Sequence, residues 1–104
     1  MTDTDARAFL SAMDTFDHFG VPRENYAIQT PPTMDECVCM THVNNAWITY
    51  IYDHGELYGM LRHDNAMEAA HRLIDLLGYR LGEHDRLLDY FESVFYGAID
   101  YSTE

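Results

Sequence analysis

Six histidines, two cysteines and eighteen carboxylates are the residues through which this chain of 104 amino acids could hold a metal, attack a carbonyl or move a proton. His63 and Asp64 fall just before a predicted helix, and His71 falls within it. Eight residues are roughly two helical turns, so His63 and His71 could face the same way. No H-x-x-x-H or H-E-x-x-H pattern exists, and a ligand set would have to be gathered from several elements. Scattered surface histidines account for the pattern more simply. Cys37, Cys39 and His42 lie on one predicted strand, but side chains alternate across a strand, so His42 points away from the two cysteines. Residues two apart on a strand are about 7 Å apart, too far for an easy disulfide. Two free, packed thiols are expected. Neither cysteine stands at a helix start or beside a basic cluster that would favour its thiolate. No P-loop, dinucleotide fingerprint or G-x-S-x-G is present. In so acidic a chain, paired carboxylates carry little information. The residues therefore argue against an enzyme, and call for neither metal nor cofactor.

Charge is the strongest signal. Eighteen acids stand against six arginines and no lysine, for a formal net charge of −12. Phosphates would be repelled, which disfavours direct binding to nucleic acid. A basic protein partner would be steered in. A solubility bias or adaptation to high salt would give the same excess of acids. The length suits one domain, residues 1–104, with a modest core. No apolar run is long enough to cross a membrane. The first residues, Met1-Thr2-Asp3-Thr4-Asp5-Ala6, lack the basic and apolar parts of a signal peptide, so a cytoplasmic protein is expected.

The elements that must position these residues centre on Glu36 to Arg62. Cys37 to Val43 is mostly apolar, and Trp47-Ile48-Thr49-Tyr50-Ile51-Tyr52 is aromatic and β-branched, as suits a strand. Asn44-Asn45 can make a two-residue turn. Asp53-His54-Gly55 makes a second turn, and Glu56 to Arg62 follows as a third strand. Such short connections force antiparallel neighbours. Trp47, Thr49 and Ile51 share one face, while Ile48, Tyr50 and Tyr52 share the other. One face must cover the core; the other is roofed by a helix or offered to a partner.

Ala6, Phe9, Leu10, Met13 and Phe16 predict an amphipathic helix over 5–19, closed by Gly20 and Pro22, with Asp14 and His18 spaced as a local pair. Tyr26 to Gln29 reads as a short edge strand, and Thr30-Pro31-Pro32-Thr33 as a break. A second helix starts at Asn65, with Glu68 completing a capping pair, carries Ala66, Ala69, Ala70, Leu73, Ile74 and Leu77, and stops at Gly78. Residues 83–96 predict a third, buried through Leu87, Leu88, Phe91, Val94 and Phe95, with a tail holding Tyr96 and Tyr101 that frays. The expected fold is α+β: a three- or four-stranded antiparallel meander with an N-terminal helix and two C-terminal helices packed on it.

Phe19-Gly20-Val21-Pro22, Trp47-Ile48-Thr49-Tyr50-Ile51-Tyr52, Gly55 and Glu68-Ala69 appear in that order. Over residues 5–77 the chain thereby resembles small immunity proteins of bacterial polymorphic-toxin and contact-dependent inhibition systems. Their turn often reads Glu-Arg-Gly where this chain has Asp53-His54-Gly55, and the helix at 83–96 lies outside the pattern. The resemblance implies a protein that binds a cognate toxin domain and occludes its active site or substrate groove; for the chain itself a monomer or weak dimer is expected. A nuclease toxin would be basic, which fits the charge. Tyr50, Tyr52, Tyr58, Asp53 and Glu56, around the second hairpin, are the first residues assigned to such a surface. Asp85, Asp89 and Glu92, at helical spacing, are the second patch. An acidic mimic of nucleic acid that regulates a DNA-binding protein, a homodimeric small-molecule or metal-binding domain, and a structural interaction module are the alternatives.

Overall fold

The computed structural model describes residues 3–103, with side chains as far as Gly97, so the side chain of Tyr101 lies outside the described residues. The fold is α+β. Helix α1 (Asp3–His18) is followed by a single 3-10 turn (Arg23–Asn25) and strand β1 (Tyr26–Ile28). Strands β2 (Cys37–Val43), β3 (Ala46–Asp53) and β4 (Glu56–His63) lead to helices α2 (Ala66–Leu81) and α3 (His84–Thr103).

The four strands form one sheet in the order β1-β2-β3-β4. Strands β2 to β4 are the expected antiparallel meander. Both hairpin turns place two residues at positive φ, Asn44 and Asn45 at 52° and 64°, His54 and Gly55 at 51° and 81°. That backbone matches the twist of the flanking strands, and Asn and Gly adopt it at low cost. Strand β1 departs from the expectation. It is the edge strand foreseen, but it pairs parallel to β2, with Tyr26, Ala27 and Ile28 beside Val38, Cys39 and Met40. Residues 29–36 between the two strands form neither helix nor strand, and the chain re-enters the sheet in its original direction.

The sheet buries the face that carries Trp47 and Thr49. Both are essentially inaccessible, and they lie with Val38 and Met40 against α2. Alanines at 66, 69 and 70, all fully buried, let α2 sit close to this face. Helix α1 is rotated from its predicted orientation. It buries Ala8, Ser11, Ala12, Thr15 and Phe16, while Leu10 and Met13 remain exposed. Small residues on both α1 and α2 allow close approach, a stronger constraint here than covering every large side chain. The buried Thr15 hydroxyl is satisfied by donating to the Ser11 carbonyl at 2.7 Å. Asp14 and His18 do not pair as their spacing suggested. Both turn to α3, where Asp14 accepts from the Tyr90 hydroxyl and His18 stacks on the Tyr90 ring at 4.1 Å.

Helix ends follow local rules, with one correction. Gly20, at φ 68°, ends α1, and the amides of Gly20 and Val21 bond back to Asp17 and Phe16. Asn65 caps α2, its side chain accepting from the Glu68 amide at 2.9 Å. Gly78, expected to stop this helix, lies inside it. The stop is Gly82, at φ 73°, and Gly78 is small because the start of α3 packs on it. Helix α3 covers α1 and α2 through Leu87, Phe91 and Phe95, and continues to Thr103 where a frayed tail was expected.

Candidate partner-binding surface

The β3–β4 hairpin holds five of the residues assigned to a partner, and the sheet divides them. Tyr50 and Tyr52 project from the face that carries no helix. They lie opposite Cys39 and Cys37 in the register and pack on a small cluster of Ala27, Cys37 and Cys39. Both tyrosines are half-buried. Their rings shield the two thiols, which are free and buried. Burial pushes the Cys39 thiol up to about 12, and the neighbouring Cys37 adds to the effect. A thiol so poised is protonated at neutral pH and is a poor nucleophile and metal ligand. The pair forms the packed base on which the tyrosines rest.

Tyr58 faces the other way. A bulge at Gly59–Met60 separates the pairs Ile51–Tyr58 and Thr49–Leu61, and it places Tyr58 and Leu61 on the helix-covered face. The Tyr58 hydroxyl donates to Glu56 at 2.7 Å. Asp53 and Glu56 close the hairpin as a pair on this same face. The assigned set of Tyr50, Tyr52, Asp53, Glu56 and Tyr58 is therefore a ridge with two flanks rather than one patch. One flank is a shallow hollow of Pro32, Thr33, Met34, Asp35, Glu36, Tyr52 and His54. The other is a hollow of Glu36, Ile51, Asp53, Tyr58 and Arg80.

Two acids missed in the sequence complete this end of the molecule. Asp35 accepts from the His54 amide at 2.7 Å, and Glu36 carries the carbonyl to which the Arg80 guanidinium donates. The signal was available: pairing Cys37 with Tyr52 places residues 35 and 36 beside the 53–56 turn. Asp35, Glu36, Asp53 and Glu56 make the hairpin end an acidic pole, moderated by Arg80. Asp35, Asp53 and His54 bring possible ligand atoms within 4.8 Å of one another, and the three are already engaged with each other: the His54 ring contacts Asp53 at 2.8 Å.

The histidines considered for a metal go to separate partners. Nε2 of His63 lies 2.8 Å from the Thr49 hydroxyl, and its burial lowers its pKa from the usual value. His71 meets the edge of Phe91, and His42 stacks on Trp47.

The second acidic patch is separate from the hairpin. Asp85 and Asp89 are exposed and Glu92 is half-buried on α3, which packs on α1 and α2. Asp85 has a structural neighbour, His84, whose ring stands between Asp75 at Nε2 and Asp85 at Nδ1. These two carboxylates, Asp75 foremost, raise the His84 pKa above its ordinary value. A histidine with a raised folded pKa adds stability that is complete below its unfolded pKa, about 6.5, and is lost as pH rises through the folded pKa. Asp75→Asn should therefore destabilise the protein more at about pH 6 than at about pH 8, read by denaturant melts at each pH. An equal loss at both would show that the carboxylate does not hold the imidazolium.

No family model, curated protein or solved structure matches the chain. Among the described residues, no helix is long and apolar enough to cross a membrane.

Proposed function

We propose that the protein is an acidic inhibitor that binds and neutralises a basic toxin domain, with the helix-free face of the sheet and the acidic hairpin end as its contact surface. One observation carries this reading: Tyr50 and Tyr52 stand half-buried, side by side, on a sheet face without a helix, and four acids gather at its end. Aromatic side chains fixed by packing beneath them lose little freedom on binding and commonly supply the strongest contacts of an interface. The acids supply orientation and speed of encounter with a positively charged target. Asp35, Asp53 and Glu56 can meet the cations with which a nuclease grips phosphates, so the substrate groove is the natural place to sit. The target would be met in the cytoplasm of the protected bacterial cell.

In this reading the α3 acids Asp85, Asp89 and Glu92 act at long range, since they lie off the contact surface. Calorimetric titration against the basic toxin domain encoded by the neighbouring upstream gene is the test. Tight binding with one toxin per chain is expected, weakening as salt rises. Tyr52→Ala should weaken it by roughly ten- to a hundredfold, an anchor-sized effect. Binding of the variant at wild-type strength would remove the tyrosine face from the interface, and no binding by the wild type at any salt would remove the toxin.

A further inference from the structure

Among the described residues, four carboxylates gather at the hairpin end, and three of them already have partners. The His54 ring contacts Asp53 at 2.8 Å, the His54 amide donates to Asp35 at 2.7 Å, and the Tyr58 hydroxyl donates to Glu56 at 2.7 Å. The carboxylate of Glu36 has none. Its backbone is held instead, the carbonyl accepting from the Arg80 guanidinium. Glu36 stands at φ 59°, a left-handed backbone that glycine and asparagine adopt cheaply and glutamate rarely does. Residues so strained persist where their surroundings hold them, and they gather at sites that grip a ligand.

Three kinds of surface meet in the hollow that Glu36 lines. Pro32 and Met34 give it an apolar wall, with Met34 54% exposed. Tyr52 gives it a half-buried aromatic ring. Asp35 and Glu36 give it negative charge. A flat cation on an apolar stem matches all three. Its methylenes lie on the wall, its plane stacks on the ring, and its fork of N–H donors meets a carboxylate. An anion would be repelled. A wholly apolar side chain would bury the Glu36 carboxylate without a partner, at a cost. An ammonium is a strongly hydrated point charge and gains less from a flat ring.

We propose that this hollow receives an arginine side chain of the basic target, with Glu36 as its counter-ion and Tyr52 as the ring beneath it. The proposal rests on the reading of the hairpin end as the contact surface for a basic protein, and it names the group recognised there. Arg80 does not compete for Glu36, since it donates to the carbonyl and lines the hollow on the opposite flank. The hollow lies on the Tyr52 flank, so an arginine seated in it brings the target onto the helix-free face of the sheet.

Nuclear magnetic resonance titration of the labelled protein with N-acetyl-arginine methylamide tests the hollow without the toxin. Saturable shifts are expected in the amides of residues 33–36, 52 and 54, with a dissociation constant of roughly 1–10 mM, the scale for one side chain. The citrulline analogue, alike in shape but uncharged, should leave these amides unmoved. The lysine analogue should bind at least about threefold more weakly. Glu36→Gln should weaken arginine binding about tenfold. Glu36→Gly should weaken it as much, with a urea midpoint no lower than wild type, because glycine takes this φ freely. Loss of binding in that variant then cannot come from unfolding. Shifts spread evenly over the exposed acids, Asp85 and Asp89 of α3 included, would overturn the proposal. So would equal binding of the citrulline or lysine analogue, or undiminished binding by a folded Glu36 variant. The toxin titration is a separate readout. A wild type that binds the toxin but not the arginine probe loses the hollow and keeps the inhibitor reading; one that binds the probe but no toxin keeps the hollow and loses the toxin.

Discussion

Trp47→Ala should remove about 3–5 kcal/mol of stability, the range for deleting a large buried aromatic side chain. Trp47 is 1% exposed and joins three elements. It lies across from His63 in the sheet, stacks with His42 at 4.6 Å, and meets Phe9 of α1 at 6.3 Å between ring centroids. No single neighbour can move to fill the space, since two of these contacts are fixed by strand pairing. A domain of ordinary stability has about 5–15 kcal/mol in total, so the variant would be marginal. Its melting temperature should fall by roughly 12–20 °C at a few degrees per kcal/mol. Urea titration is the check, with the midpoint lowered and the slope unchanged. A loss under about 1 kcal/mol would mean that Trp47 is not a hub of the core.

The second large effect is a contrast in sign between two glycines in helices. Gly78→Ala should destabilise by about 2 kcal/mol, and Gly97→Ala should stabilise by about 0.5–1 kcal/mol. Alanine is favoured over glycine within a helix by about 1 kcal/mol at either place. At Gly97 no described residue lies within 4 Å of an added Cβ, so the gain is retained. At Gly78 the added carbon would meet the Cα of His84 at 2.6 Å. That atom is backbone, so α3 must shift as a unit and loosen Leu87 and Phe91 against α2. Denaturant melts of the two variants measure both signs. A stabilised Gly78→Ala variant would show that α3 docks less closely than this geometry.

These two positions show what was legible in the sequence. Trp47 could be placed at the middle of the sheet, and its strand mates assigned, from alternation alone. Which face was inside could not, because Ile48, Tyr50 and Tyr52 are as large as Trp47, Thr49 and Ile51. That choice is made by the alanines of α2, which fit closely against one face only. Gly78 read as a helix stop because a glycine near the end of an apolar stripe commonly is one. Only the return of α3 onto it, with Gly82 four residues on, reveals it as a close-packing residue. The parallel β1 was hidden for a similar reason: three residues beside a proline loop fix no direction. At the candidate surface, alternation placed Tyr50 and Tyr52 together correctly. It could not place Tyr58, because a bulge changes parity without a required sequence signal, although Gly59 is a residue that favours one.

The split of the hairpin residues also sharpens the account. Tyr50 and Tyr52 belong to an open face, whereas Tyr58 belongs to the β4 edge.

Hydrogen exchange of the protein alone and mixed with the proposed toxin domain tests the central claim most directly. The account predicts new protection in residues 32–36 and 50–56, which frame the acidic hairpin end and the tyrosine face. Protection confined to α3 around Asp85, Asp89 and Glu92, with the hairpin unchanged, would contradict it.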